Sequence, residues 1–252
     1  PKRTPDSMEH LRREALTESL LLEHQPGGHD QKKHGRRNPQ LDTPEFKKWF
    51  GDSKVVDSDG TPLTVYHGTH KEFSKFEPRS LSSHSGVSMF TESPVYAQDY
   101  VYDVSIGDDN NTAIKTGHIM PVYLSISKPL DLRNQKGSLL ENIPSALRQK
   151  LSRSELSEIK QHDEQYTGVA DVFWSSRSIT EIAVSHGYDG VVWNEMEPKE
   201  SWDGATGKYV DNKNPKKTTT WVPFHSNQIK SATGNKGAFD PDNPSITESL
   251  PT

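Results

Sequence analysis

Leu63-Thr64-Val65-Tyr66-His67-Gly68-Thr69 is the stretch whose reading decides the fold. Val65 and Tyr66 favour extended backbone, and the run stops at a histidine followed by glycine, so a strand end presents an imidazole and a bare backbone edge together. A ligand can be held there. An ordinary glycine turn with a satisfied histidine explains the same residues, and on their own they favour that plainer account.

On the N-terminal side, Val55-Val56 and the Asp57-Ser58-Asp59-Gly60 turn lead into this stretch as a hairpin. Before it, residues 43–51 read as a short helix: Thr43 caps, Pro44 takes the first helical position, Phe46, Trp49 and Phe50 share one face, and Gly51 closes it. On the C-terminal side a polar loop carries Phe73 and Phe76. Residues 87–91 read as a second strand, and Ser93-Pro94 starts a helix bearing Val95, Tyr96, Ala97 and Tyr100. Residues 107–111 read as an acidic loop and 118–126 as a third strand. Residues 144–166 suggest two polar, peripheral helices anchored by Leu147, Leu151, Leu156 and Ile159, and 178–186 a better-patterned helix stopped by Gly187. A buried strand is expected over 189–193, a charged loop over 195–217, a last strand over 221–224, and a surface or disordered tail beyond Gly234.

At the other end, residues 8–22 read as an amphipathic helix, and 24–37 as a Gly-rich basic linker whose histidines lack a metal-binding frame. Only 30 % of the 252 residues are hydrophobic and mean hydropathy is −0.86, so part of the chain is expected to be solvated arm. A net charge of −5 exerts no global pull toward nucleic acid or membrane. The absence of cysteine excludes disulfides, thiolate nucleophiles and Cys-ligated zinc. No apolar run approaches the roughly 20 residues of a membrane span and no signal-peptide pattern is visible, so a soluble protein is expected. The start at Pro1 fits a processed or excised piece. Irregular alternation of strands and helices, without Gly-x-Gly-x-x-Gly, points to an α+β domain rather than a dinucleotide-binding doubly wound sheet.

Three segments in this order resemble ADP-ribosyltransferases of the diphtheria-toxin and poly(ADP-ribose) polymerase branch. His67-Gly68-Thr69 resembles the branch's His-Gly-Thr/Ser strand end. Residues 86–100, with Phe90, Ala97 and Tyr100, look like its Gly-x-Tyr-Phe-x-Asp strand and following helix, although Gly86 sits one residue too far from Phe90. Residues 220–228 are similar to its Glu-Tyr-Ile-Val-Tyr-x-x-x-Gln strand. More narrowly, Val65-Tyr66-His67-Gly68-Thr69, Phe90-Thr91-Glu92-Ser93-Pro94 and residues 224–235 look like the modules attached to phage polyvalent and Mu-F-like head proteins. The arm at 29–35 resembles linkers of phage portal and capsid-associated proteins.

The resemblance implies an ADP-ribosyltransferase-like split β-sheet core over residues 43–236, with peripheral helices, a mostly flexible N-terminal arm over 1–42 and a tail over 237–252. It implies NAD as substrate without a metal, nicotinamide as leaving group, and a toxin-like mono-ADP-ribosyltransferase acting on a host protein or nucleic acid. Phage portal or capsid partners, a location in the virion and host cytoplasm, and no membrane partner go with it. By resemblance, His67 holds the adenosine ribose, Gly68 pairs its backbone with the nicotinamide amide beside Thr69, and Tyr100 clamps the ring, with Phe90 or Tyr96 as lesser candidates. The second-strand tyrosine position falls on Met89, and the branch's glutamate position on Thr220, which supplies no charge. Gln228, or Glu195 or Glu197 in the Glu-x-Glu spacing after Trp193, are the candidate replacements. Two other readings stay open: a domain that lost its acid and serves in binding or head assembly, and RNA binding through Lys208, Lys213, Lys216 and Lys217 beside Trp202 and Tyr209.

Overall fold

The computed structural model describes residues 38–71, 73–77, 88–106, 112–134, 137–165, 177–203, 208–235 and 237–247. The expected arm helix at 8–22, the linker at 24–37 and the loop at 107–111 lie outside the described residues. In chain order the strands are β1 (Val65–Thr69), β2 (Phe90–Thr91), β3 (Tyr102–Ile106), β4 (Thr112–Thr116), β5 (His118–Leu124), β6 (Pro129–Asp131), β7 (Gly190–Met196), β8 (Glu200–Asp203), β9 (Lys208–Asp211), β10 (Lys217–Pro223) and β11 (Ile229–Ser231). The helices are α1 (Pro44–Phe50), α2 (Pro94–Gln98), α3 (Leu139–Asn142), α4 (Ser145–Arg148), α5 (Arg153–Gln165) and α6 (Arg177–Ser185).

Seven strands form one mixed sheet in the order β11-β5-β1-β2-β10-β7-β6. Its pairs are antiparallel except β6 with β7. The expected α+β architecture is therefore present. Strand β1 pairs with β5 along its whole length, from Val65 opposite Val122 to Thr69 opposite His118. Toward β2 it holds a single register pair, Tyr66 opposite Thr91. With β2 only two residues long, the pairing of β1 with β2 stops, among the described residues, at that pair.

Alternation along the strands sends side chains to two cores. Val191, Trp193, Val222 and Phe224 pack under Leu139, Leu147, Ile159, Ile179 and Ala183 of the helical layer. Val65, Phe90, Val122, Leu124, Val192 and Trp221 form a second cluster with Val55, Phe76 and Ile246. The helices expected to be peripheral thus cover a sheet face. Their polarity reflects their outer sides.

The capped helix read at 43–51 is α1. Thr43 Oγ1 accepts from Phe46 N at 3.2 Å, and Phe46 packs its ring on Tyr123 and Phe239 at 5.2 and 4.9 Å. Phe239 is buried, as is Ile246, so residues 237–247 contribute to the core and correct the expectation of a surface tail. Few apolar residues in that segment conceal how fully those two are used. The loop expected over 195–217 also gives way to structure: β7 runs to Met196, β10 starts at Lys217, and β8 and β9 make a hairpin between them. Those strands read as loop because beyond Trp193 they leave the core, and polar residues occupy both faces. The β3–β4 hairpin was likewise not expected from the sequence.

Candidate functional site

A cavity of about 360 Å³ opens where β1 and β2 part, walled by both strands, α2, Glu195 of β7 and Thr220 of β10. That volume is typical of small-molecule sites. Among the described residues, no group of three or more His, Asp or Glu side chains is placed to hold a metal, and no helix is long and apolar enough to cross a membrane.

His67 forms one end of the wall. Its Nδ1 lies 2.8 Å from the Met89 carbonyl oxygen, which can only accept, so the ring proton sits on Nδ1 and a lone pair on Nε2. Burial pulls the imidazole below its ordinary pKa; the Met89 bond opposes this and His118 adds to it, leaving a neutral ring at pH 7. Phe76 and Phe90 hold the imidazole at ring distances of 5.0 and 5.2 Å. Met89 therefore serves through its carbonyl, a role its side chain does not announce. Phe90, a candidate clamp, is fully buried in the second cluster; it supports His67 and has no face free for stacking.

Gly68 lies directly beneath α2. A Cβ there would stand 1.8 Å from Ala97 O and 3.1 Å from Tyr100 Cβ, so only glycine lets the helix close on the strand. Thr69 is buried at the cavity edge, where its Oγ1 accepts from Lys71 N at 3.1 Å. Ser93 starts α2 as the sequence predicts, accepting from Tyr96 N at 3.2 Å with Pro94 next. The helix places Tyr96 and Tyr100 on the cavity, rings 5.9 Å apart and edge to face. Tyr100 lines the cavity and is 46 % exposed. Burial, then the negative charge of Glu195 and the neighbouring Tyr100, raise the Tyr96 pKa well above its ordinary value.

The candidate acids separate cleanly. Thr220 is buried on the cavity wall, and its Oγ1 donates to Glu195 Oε2 across two strands. The register sets Glu195 opposite Thr218 and Trp193 opposite Thr220, so the carboxylate reaches diagonally over the position where the branch carries its own glutamate. Glu197 faces away from the cavity. It is 8 % exposed and accepts from Ser93 Oγ at 2.6 Å, Lys216 N at 3.0 Å and Asn212 Nδ2 at 3.4 Å. Burial pushes its pKa up, but these bonds outweigh that and hold the carboxyl below its usual range. Gln228 is equally remote. Its Oε1 accepts from Phe224 N and His225 N at 3.0 and 2.7 Å, and its Nε2 donates to the Ser125 and Asp189 carbonyls at 2.9 Å each. Both lone pairs and both hydrogens are spent on backbone, leaving nothing for a ligand. Glu197 and Gln228 are therefore structural, contrary to their candidacy as catalytic groups.

Sequence reasoning missed Tyr66, Thr91 and Asp99 on the same wall. The alternation Tyr66, Gly68 along β1 was the available sign for the first. Lys208, Tyr209, Lys213, Lys216 and Lys217 are exposed, with Glu200 and Asp211 among them, so the described residues of the segment are mixed in charge. The Trp202 side chain lies outside the described residues.

No curated protein and no solved structure matches the chain. A family model described as ADP-ribosyltransferase in polyvalent proteins matches residues 57–239, a span that contains every wall of the cavity.

Proposed function

Because the chain belongs to the family of ADP-ribosyltransferases in polyvalent proteins, we propose that it is a mono-ADP-ribosyltransferase that moves ADP-ribose from NAD to a host macromolecule. The observation that carries this reading is Glu195: a carboxylate seated by Thr220 on the wall shared with His67 and Tyr100. The residues suit NAD. His67 Nε2 can accept from a ribose hydroxyl, Gly68 lines the same cavity, and the exposed Tyr100 ring can stack on a pyridinium.

NAD supplies a glycosidic bond to a good leaving group. That bond breaks with its electron pair passing to the nicotinamide nitrogen; an acceptor lone pair then bonds the same ribose carbon, and the acceptor gives up its proton. Glu195, accepting from a ribose hydroxyl, would place negative charge beside the developing cation. His67 and Tyr100 would hold the two ends, so most of the acceleration comes from geometry and charge placement. Attachment to phage particles, and action on a host protein or nucleic acid in the host cytoplasm, belong to this proposal and rest on the resemblance of residues 29–35 to linkers of phage portal and capsid-associated proteins.

Nicotinamide release from NAD is expected for the purified chain and for host lysate mixed with it. His67→Ala and Glu195→Gln should each lower it by about 10²-fold or more. An active Glu195→Gln enzyme would remove the reading. A second reading, a binding or head-assembly module, is favoured by threonine at 220. Calorimetric NAD binding without turnover would establish it instead.

A further inference from the structure

We propose that Thr220 is a positioning residue, a fixed hydroxyl that aims the Glu195 carboxylate at the reacting sugar from the neighbouring strand. This rests on the reading of the cleft given above. Glu195 stands next to last in β7, where the strand has left the core, and its long side chain is free to swing unless something holds it. Thr220 supplies the hold. Its Oγ1 bonds Glu195 Oε2, and because an ionised carboxylate only accepts, the hydroxyl is the donor. A hydrogen bond to a charged group is stronger than one between neutral partners.

Thr220 is suited to that task by its own immobility. It is buried in the middle of β10, between Thr91 of β2 and Trp193 of β7, and its β-branched side chain turns little about its first torsion. The sheet therefore sets the donor, and the donor sets the carboxylate. A second threonine makes the choice visible. Thr218 is the register partner of Glu195, yet its Oγ1 lies 3.0 Å from Thr91 Oγ1 on the opposite neighbour, where Thr91 Oγ1 also accepts from Ser93 N at 3.1 Å. Thr220 and Glu195 both line the cavity, so the diagonal bond turns the carboxylate toward the ligand space and away from its register partner.

NAD turnover and calorimetric NAD affinity would be measured for wild type, Thr220→Val, Thr220→Ser, Thr220→Ala, Thr218→Val, Glu195→Gln, and Thr220→Val combined with Glu195→Gln. Valine keeps the shape of threonine and removes the hydroxyl, so kcat should fall roughly 10- to 100-fold while NAD affinity stays within about twofold. Serine should keep kcat within about threefold of wild type and alanine should fall with valine, since serine and alanine differ by the hydroxyl alone. Thr218→Val should leave kcat within about twofold. Adding Thr220→Val to Glu195→Gln should cost less than about threefold more, since the charge it aims is gone. Wild-type kcat in Thr220→Val, an equal loss in Thr218→Val, or an equal cost with and without Glu195 overturns the inference while the function stands. If neither Thr220→Val nor Thr220→Ala folds, the hydroxyl is structural and the inference is overturned likewise. Absence of turnover in wild type, or full activity in Glu195→Gln, removes the functional reading and this inference together.

Discussion

Gly68 and His67 show how much a single position decides. A methyl group at 68 would meet the Ala97 carbonyl at 1.8 Å, and that atom belongs to a helix backbone that cannot turn aside. Gly68→Ala should therefore destabilise the fold by about 1–3 kcal/mol, read as a lower urea midpoint. It should also push α2, and Tyr100 with it, away from β1. The need for glycine was legible in the sequence as a strand ending in His-Gly, but its cause was not, because Ala97 lies in another element. The same holds for His67. Its place at a strand end could be read; its tautomer could not, since the Met89 carbonyl that fixes it lies 22 residues on.

Helix α2 was the most legible element, since its start is written in two adjacent residues. Ser93→Ala removes a cap and leaves one oxygen of Glu197 without its donor, so a loss of about 1–2 kcal/mol is expected in thermal or urea unfolding. Strands β7 and β10 were less legible. Their core halves, Gly190 to Trp193 and Thr220 to Pro223, carry most of their apolar residues and could be read; their outer halves pair Asn194 with Thr219 and Glu195 with Thr218, polar couples that resemble loop when each strand is read alone. The acid of the candidate site sits in that outer half. Pairing made it a strand residue, and pairing is not visible along one segment.

Across the whole molecule, the C-terminal segment closes on the sheet through Lys230. Its side chain is wholly buried, and Nζ donates to the Asn243 and Ser245 carbonyls at 2.7 and 3.0 Å. Burial lowers its pKa to about 8, with Asp240 opposing. A neutral amine still has two hydrogens for those two carbonyls, so losing the charge sacrifices neither bond. Below pH 8 the charged form is carried in both states and its burial cost is present; between about 8 and lysine's ordinary 10.4 the unfolded chain binds more protons, so stability should rise with pH there. The rise is a few kcal/mol at most, and a Lys230→Met variant should lack it when urea midpoints are compared across that window. The general α+β plan was legible in the sequence because caps, turns and strand ends are local; the closure by residues 237–247 was not, because Phe239 and Ile246 find their partners far upstream. The diagonal contact between Glu195 and Thr220 carries a further consequence on the proposed reading. In an antiparallel ladder one point in space can be reached from either of two strands, so a lineage can hand a charge to the neighbouring strand and keep the reaction centre where it was. Loss of an acid at its customary alignment column is then relocation, and counting that column alone would enrol a working enzyme among the dead ones.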